Sequence, residues 1–149
     1  MSGETDLSQI RQAVRQLCDQ YGEDYWLQLD RDRGYPSEFV QELSEAGFLN
    51  ILIPEAYGGA GLGVIEASAV MEEVCRAGAH AGACHAQMYV MGSVLRHGNE
   101  AQKNRYLPEI ASGKLRLQSF GVTEPTTGTD TTSLKTVAKK DGDEYVING

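Results

Sequence analysis

The sequence FGVTEPTTGTD, residues 120–130, marks the point at which the chain changes from one type of structure to another. Leu115 and Leu117 alternate with polar neighbours, and this period of two, continued into Phe120 and Val122, predicts a β-strand ending at Val122. Pro125 then removes a backbone donor and stops strand pairing, and small hydroxyl side chains surround a glycine after it. A strand end of this kind offers backbone groups and hydroxyls to a flat heterocycle or a phosphate chain, with Phe120 available to support a ring. An ordinary loop rich in Ser and Thr is the alternative interpretation.

The chain before residue 114 has the period of amphipathic helices. Apolar residues recur at steps of three and four, and Gly or Pro separates these stretches. Residues 31–34 are predicted to connect two helices. The glycine-rich residues 48–63 are predicted to form a loop of defined shape. Asn99 and Gln102 have the spacing of a capping box at the start of the last helix. The predicted helices cover residues 7–21, 36–46, 64–77, 80–95 and 99–112. The helix at 80–95 is apolar nearly all round, so we expect it at the centre of a helical layer.

The pattern after residue 114 is that of strands. Apolar and β-branched runs flank Lys140-Asp141-Gly142-Asp143, and Asp-Gly is a dipeptide that fits a tight hairpin turn. Two or three strands are only marginally stable on their own. Asn148-Gly149 is itself a turn signal and predicts that another strand follows. The sequence therefore predicts a mainly α chain, with an all-helical domain at 1–113 and the first strands of an incomplete β domain at 114–149. We expect it to be a piece of a longer protein.

Composition limits the classes of partner and location. The 149 residues are 41% apolar and 23% charged, as in folded globular proteins. Thirteen basic against 21 acidic residues give a net charge of −8, which argues against nucleic acid and anionic lipid as partners. Three irregularly spaced cysteines and a start without a targeting pattern predict a cytoplasmic location. No apolar run approaches the roughly 18 residues of a membrane span, so no membrane insertion is expected.

Two other clusters invite a chemical interpretation. The glycines at 58–63 suggest a dinucleotide-binding loop, but their surroundings are helical, which favours a structural turn. Cys75, His80 and Cys84 match no zinc spacing, and Cys84 is expected to be a buried thiol with a raised pKa, so we predict no metal site. His85 on the same helix needs a partner or a cavity and is a candidate for lining a pocket.

The segment at 120–130 resembles the signature of acyl-CoA dehydrogenases, in which a strand leads into Thr-Glu-Pro, two small residues and Gly-Ser-Asp. Three further motifs resemble the same family in the same order: IPEAYGGAGLG at 53–63, GNEAQK followed by YLP at 98–108, and the hairpin at 141–149. The resemblance covers the chain from Leu7 onward. It implies a helical N-terminal domain followed by the first strands of a truncated, β-barrel-like domain.

The same resemblance implies an activity in fatty acid metabolism. Members of this family use FAD to oxidise the α,β bond of an acyl-CoA thioester, by proton abstraction and hydride transfer to flavin. The catalytic carboxylate comes from a C-terminal domain, so no catalytic residue is expected in this chain, and the chain alone is expected to be inactive. The implied partners are an acyl-CoA substrate, an electron-transfer acceptor protein and further copies of the complete protein, since members are usually tetramers or dimers.

The resemblance also assigns site residues. Thr129 stands where the family usually has Ser, which touches both the cofactor and the pantetheine arm of CoA. His85 and Tyr89 lie on the helix that usually lines the acyl end of the pocket, and their polar groups favour a short or polar acyl group over a long alkyl chain. The implied cofactor-binding residues are Phe120, Gly121, Val122, Thr123, Gly128 and Thr129. The implied substrate-binding residues are Thr129, His85 and Tyr89.

Two alternatives stay open at this point. One is another flavoprotein of the same superfamily, an acyl-CoA oxidase or a flavin monooxygenase, whose reduced flavin reacts with oxygen. The other is a cofactor-free helical domain that binds a partner protein, which needs only the amphipathic helices and exposed strand edges.

Overall fold

The computed structural model describes residues 7–149, so the first six residues of the predicted helical domain lie outside the described part of the chain. The described residues form two compact units, 7–119 and Phe120–Gly149. The first is helical and the second carries a two-stranded antiparallel sheet. The predicted fold class, a helical N-terminal part followed by the first strands of a β part, is confirmed. The predicted domain boundary at residues 113–114 stays a prediction.

Six α-helices are described in the first unit, and five of them correspond to the predicted helices. The capping box predicted at the last one is present: the Asn99 side chain accepts the Gln102 N–H, and the Gln102 side chain accepts the Asn99 N–H, both at 2.9 Å. Each side chain therefore satisfies a backbone donor that the first turn leaves free. The helices are α1 Leu7–Cys18, α2 Glu23–Asp32, α3 Ser37–Glu45, α4 Val64–Arg76, α5 Ala81–His97 and α6 Glu100–Ala111.

The additional helix, α2, extends into residues 31–34, where the sequence predicts only a connection. It has no fully buried residue, and Tyr25, Trp26 and Leu29 on its inner face are only half-buried. Aromatic packing holds it instead. The Tyr25 ring meets Tyr21 edge-on with centroids 4.8 Å apart, and Trp26 meets Phe39 at 5.0 Å. Edge-to-face pairs of this kind stabilise the half-buried face of α2.

The helices enclose two apolar clusters, and α5 contributes to both. The first cluster joins α1, α3, α4 and α5, with Val14, Phe39 and Val70 fully buried. The second surrounds Met91 of α5 and includes Leu107 of α6. These contacts agree with the predicted central place of this helix.

A charged side chain, Glu73 of α4, lies within the helical packing with only 2% of its surface exposed. Arg11 and Arg15 of α1 donate to its carboxylate at 2.5–2.9 Å. These hydrogen bonds lower the pKa of Glu73 from 4.5 to about 2, because they favour the charged form more than burial disfavours it. Helices α1 and α4 are therefore joined by charge as well as by apolar contact.

The predicted strand at 115–122 is absent from the described structure, and this prediction is wrong. Leu115 and Leu117 do turn the same way, onto the second apolar cluster. Their backbone, however, bonds to a side chain: Gln87 of α5 donates to the Leu115 carbonyl at 3.4 Å and accepts the Leu117 N–H at 3.2 Å. A period of two shows which side chains face inward, and it cannot show whether a neighbouring strand supplies the backbone partners.

The second unit contains the predicted hairpin. Strands β1 Val137–Asp141 and β2 Glu144–Asn148 are antiparallel, and Asp141 faces Glu144 at the turn. Gly142 has φ +61°, a value that glycine adopts without steric cost, so the prediction from Asp-Gly is confirmed. Every residue of both strands is exposed within this chain.

Two further observations concern partners. None of the helices between residues 7 and 149 is both long enough and apolar enough to cross a membrane. In the same part of the chain, no three His, Cys, Asp or Glu side chains lie together as a metal site would require.

Candidate functional site

A groove of about 390 Å³ lies between α4 and α5 in the helical unit. Its walls are mainly apolar, from Leu52, Val64, Met71 and Met88. Two predicted substrate residues, His85 and Tyr89, also line it. The structure therefore brings these two together in a cavity, and an apolar groove with few polar groups is the usual form of a site for a small organic ligand.

His85 and Tyr89 lie one helical turn apart on the same face of α5. Their ring centroids are 4.9 Å apart and the planes are tilted by 51°. Both side chains are exposed, although α5 itself contributes to both apolar clusters. The buried face of α5 is the one that carries Cys84, Gln87 and Met91. The sequence does not distinguish the buried face of α5 from its outer face, because the outer face carries Ala and Gly, which also count as apolar.

The six predicted cofactor residues lie in the second unit, in a stretch without regular structure. Phe120 is 52% exposed and Val122 is half-buried. Gly121, Thr123, Gly128 and Thr129 are exposed. Within residues 7–149, the backbone N–H groups of Gly128 and Thr129 meet no protein acceptor. These donors and the exposed threonine hydroxyls suit the carbonyl and nitrogen edge of a heterocycle.

The turn that carries Gly128 and Thr129 is fixed from both sides. Glu124 and Thr127 exchange two backbone hydrogen bonds of 3.0 Å. Thr127 is buried, and its hydroxyl donates to the Ser133 carbonyl at 3.1 Å. Gly128 and Thr129 are thus held in a compact loop rather than at the end of a strand.

Two acidic residues that sequence reasoning leaves out shape this loop. The Glu124 carboxylate accepts the backbone N–H groups of Lys135 at 2.7 Å and Thr136 at 2.8 Å, and also the Thr136 hydroxyl. Asp130 accepts the Thr132 N–H at 3.2 Å and the Ser133 hydroxyl. The hydroxyl and backbone donors lower the pKa of both carboxyl groups. Acidic residues on either side of a glycine turn, followed by Thr and Ser, are the sequence signal for such an arrangement.

The glycine-rich loop at 58–63 is packed too closely for a ligand to follow its backbone throughout. A Cβ atom at Gly59 would lie 2.0 Å from the Ile53 carbonyl oxygen. Farther along, the Gly63 N–H donates to the Glu66 side chain at 2.9 Å, which caps α4. The loop therefore connects the second apolar cluster to the helix that forms one wall of the groove.

The cysteines show no reactive arrangement in the described part of the chain. Cys18 and Cys84 are buried, and desolvation raises the pKa of Cys18 to about 11 and that of Cys84 to about 12. Cys75 is exposed. The prediction that Cys84 is a buried thiol with a raised pKa is confirmed.

Comparison with known proteins agrees with this geometry. The sequence model of the family "Acyl-CoA dehydrogenase, N-terminal domain" matches residues 4–114. The chain is 36% identical to the acyl-CoA dehydrogenase FadE12 of Mycobacterium tuberculosis over 141 residues, which cover 94% of this chain and 36% of that protein. The chain thus spans about a third of the length of such a curated relative.

Solved structures give the same result for the fold. The acyl-CoA dehydrogenase of Geobacillus kaustophilus matches 99% of this chain with a TM-score of 0.84 and 27% identity, over 39% of its own length. A glutaryl-CoA dehydrogenase of Mycobacterium smegmatis, solved in complex with FADH2, matches 98% with a TM-score of 0.76 and 26% identity, over 38% of its length. The helical unit with its α4–α5 groove, the family match and these structures lead to one conclusion: the chain belongs to the acyl-CoA dehydrogenase family.

Proposed function

We propose that this chain forms the acyl groove and part of the flavin site of an FAD-dependent acyl-CoA dehydrogenase. The observation that carries this proposal is the α4–α5 groove, an apolar cavity with His85 and Tyr89 at one wall, in a chain of this family. No catalytic residue is assigned to the chain, and the carboxylate that takes the α-proton belongs to the complete enzyme.

The residues at 120–129 fit an isoalloxazine ring. Phe120 and Val122 offer apolar surface, and Thr123 and Thr129 offer hydroxyls. Gly128 adds a backbone donor without a side chain in the way. When bound, FAD supplies a two-electron acceptor for the hydride from the β-carbon. The complex of a related glutaryl-CoA dehydrogenase with FADH2 supports this choice of cofactor.

The acyl group we propose is short or polar. An alkyl chain gains free energy roughly in proportion to the apolar surface it buries, and the exposed His85 imidazole and Tyr89 phenol reduce what the groove offers to such a chain. The same two groups can hydrogen-bond a hydroxyl, carbonyl or carboxylate at the end of a polar acyl group.

Titration of the full-length natural protein with acyl-CoAs of increasing length tests this assignment. We expect affinity to be highest for short or polar acyl groups, and a preference for long chains would overturn it. Ser68→Phe places an aromatic ring in the groove and is expected to weaken acyl binding. Gln12→Phe, on the exposed part of α1, is the matched control and should leave affinity unchanged.

The electron acceptor and the assembly belong to the same proposal. We assign an electron-transfer protein as acceptor and a cytoplasmic homo-oligomer as the complete form. Peroxide release that depends on substrate would favour an acyl-CoA oxidase or a flavin monooxygenase instead. A purified full-length protein that is colourless and binds no FAD would favour a domain that binds a partner protein.

A further inference from the structure

We propose that Glu124 is a positioning residue of the flavin site: its carboxylate closes the loop at 124–136 and thereby holds the turn that presents Gly128 and Thr129. This inference rests on the proposed function, since it concerns the residues assigned there to FAD. Glu124 itself is not among the residues proposed to contact FAD.

The Glu124 side chain joins the two ends of the loop. One carboxylate oxygen, Oε2, accepts the Lys135 N–H at 2.7 Å. The other, Oε1, accepts the Thr136 N–H at 2.8 Å and the Thr136 hydroxyl. Residues 135 and 136 lie immediately before β1, which begins at Val137. The loop therefore has the form of a compact Ω-loop whose ends are tied by one charged side chain.

The interior of the loop is bonded on both sides of the cofactor residues. Before them, Thr127 pairs with the Glu124 backbone and donates to Ser133. After them, Asp130 accepts from Thr132 and Ser133. In the described residues, Gly128 and Thr129 thus lie between two fixed points with their own N–H groups directed to no protein acceptor. Such a frame holds donors in place before a ligand arrives, which lowers the entropy cost of binding.

Only a carboxylate of this length meets the three donors. Both oxygens accept, so each of the two N–H groups and the hydroxyl finds an acceptor. Glutamine in the same place offers one acceptor oxygen, and its amide nitrogen, which is a donor, faces another donor. Glu124→Gln therefore keeps the shape of the side chain while it removes one of the two ties.

Hydrogen exchange in the full-length natural protein measures the ties directly. In Glu124→Gln we expect exchange of at least one of the Lys135 and Thr136 amides to accelerate about tenfold, the effect of losing a hydrogen bond to a charged group. Thr136→Val, which removes only the hydroxyl, should give a smaller increase, and Thr136→Ser should give none. Glu144→Gln on β2 makes the same change of charge in the same unit and should leave both amides unchanged.

The flavin part of the inference is tested in the full-length natural protein, with FAD as the probe. Glu124→Gln should weaken FAD binding about tenfold and alter the visible absorption bands of the bound flavin, while the melting temperature of the helical unit stays the same. Glu144→Gln should change neither the FAD affinity nor the absorption bands of the bound flavin.

Four results would overturn the proposal in distinguishable ways. Unchanged exchange at residues 135 and 136 in Glu124→Gln would show that the carboxylate does not hold the loop. Accelerated exchange with unchanged FAD affinity and spectrum would show a purely structural tie. Equal effects in Glu144→Gln would show that the loss of one negative charge, and not the loss of the Glu124 hydrogen bonds, causes the change. If the unmutated full-length protein binds no FAD, the proposed function itself fails, and exchange still decides whether Glu124 closes the loop.

Discussion

Glu73 on α4 and Arg15 on α1 are joined by two hydrogen bonds, from Arg15 Nε to Oε2 at 2.5 Å and from Arg15 Nη2 to Oε1 at 2.8 Å. This bidentate geometry links two helices far apart in sequence at a carboxylate that is almost completely buried. A buried charge contributes to stability only while its partners remain, because the uncompensated charge is costly.

Acid titration should reveal this pair. The pKa of Glu73 is lowered from 4.5 to about 2, so its contribution to stability is complete above pH 4.5 and is lost as the pH falls towards 2. We expect the melting temperature of the wild-type chain to fall in this window. Glu73→Gln should melt lower at pH 7 and lose less between pH 4.5 and pH 2.

Glu72→Gln provides the matched control, since Glu72 is exposed and its one ion pair within residues 7–149 is with Arg11. Its melting temperature at pH 7 should lie close to that of the wild type. A Glu73→Gln chain whose acid profile superimposes on the wild type would contradict the role assigned to the buried pair.

Gly59→Ala should destabilise the helical unit. The added Cβ would lie 2.0 Å from the Ile53 carbonyl oxygen and 2.5 Å from its carbon, so the loop backbone must move. We expect a loss of about 3 kcal/mol in the free energy of unfolding, measured by urea titration. Gly92→Ala is the control, because nothing lies within 4 Å of a Cβ placed in that turn of α5. It should raise stability by about 0.5–1 kcal/mol, through helix propensity.

Gln87→Leu should cost about 1–3 kcal/mol in the free energy of unfolding, because the Leu115 carbonyl and the Leu117 N–H lose their partner. Gln87 is 3% exposed, so water does not replace the amide freely. Hydrogen exchange at Leu117 should accelerate together with the loss of stability. Gln12→Leu on the exposed part of α1 should have little effect on either quantity. Unchanged exchange at Leu117 in Gln87→Leu would refute the assigned hydrogen bond.

Thiol titration should separate the three cysteines. Cys75 is exposed and should react with a disulfide reagent at pH 8 within minutes. Cys18 and Cys84 are buried and have raised pKa values, so thiolate is scarce and access is poor. We expect one thiol per chain to react in the folded state and all three in urea. Cys75→Ser should abolish the rapid phase, and a rapid phase that survives would show that a buried cysteine is open to solvent.

Hydrophobic periodicity reveals part of this fold. It predicts the helices that bury an apolar stripe, such as α3 with Phe39 and Leu43, and it predicts the Asp-Gly hairpin. No helix is predicted at α2, whose half-buried face packs by aromatic edges against Tyr21 in the preceding connection and Phe39 of α3. Periodicity also assigns a strand to 115–122, since inward-facing side chains at every second residue occur wherever an extended segment lies on a core.

Only part of the candidate site can be predicted from the sequence. Local patterns and family resemblance bring out His85, Tyr89 and the segment at 120–129, and the structure places the first two in one groove. The role of Glu124 depends on donors at residues 135 and 136, beyond the span that a local motif covers. The exposure of His85 depends on which face of α5 meets its neighbours, and an apolar composition all round conceals that face.

The amide of Gln87 has a mechanical consequence for the groove. Gln87 and Met88 are consecutive on α5, one bonded to the extended segment at 115–117 and the other lining the cavity. Rotation of α5 about its long axis would stretch both hydrogen bonds of Gln87 and would also shift Met88 at the cavity wall. The contact with residues 115–117 therefore opposes rotation of the helix that carries one side of the groove.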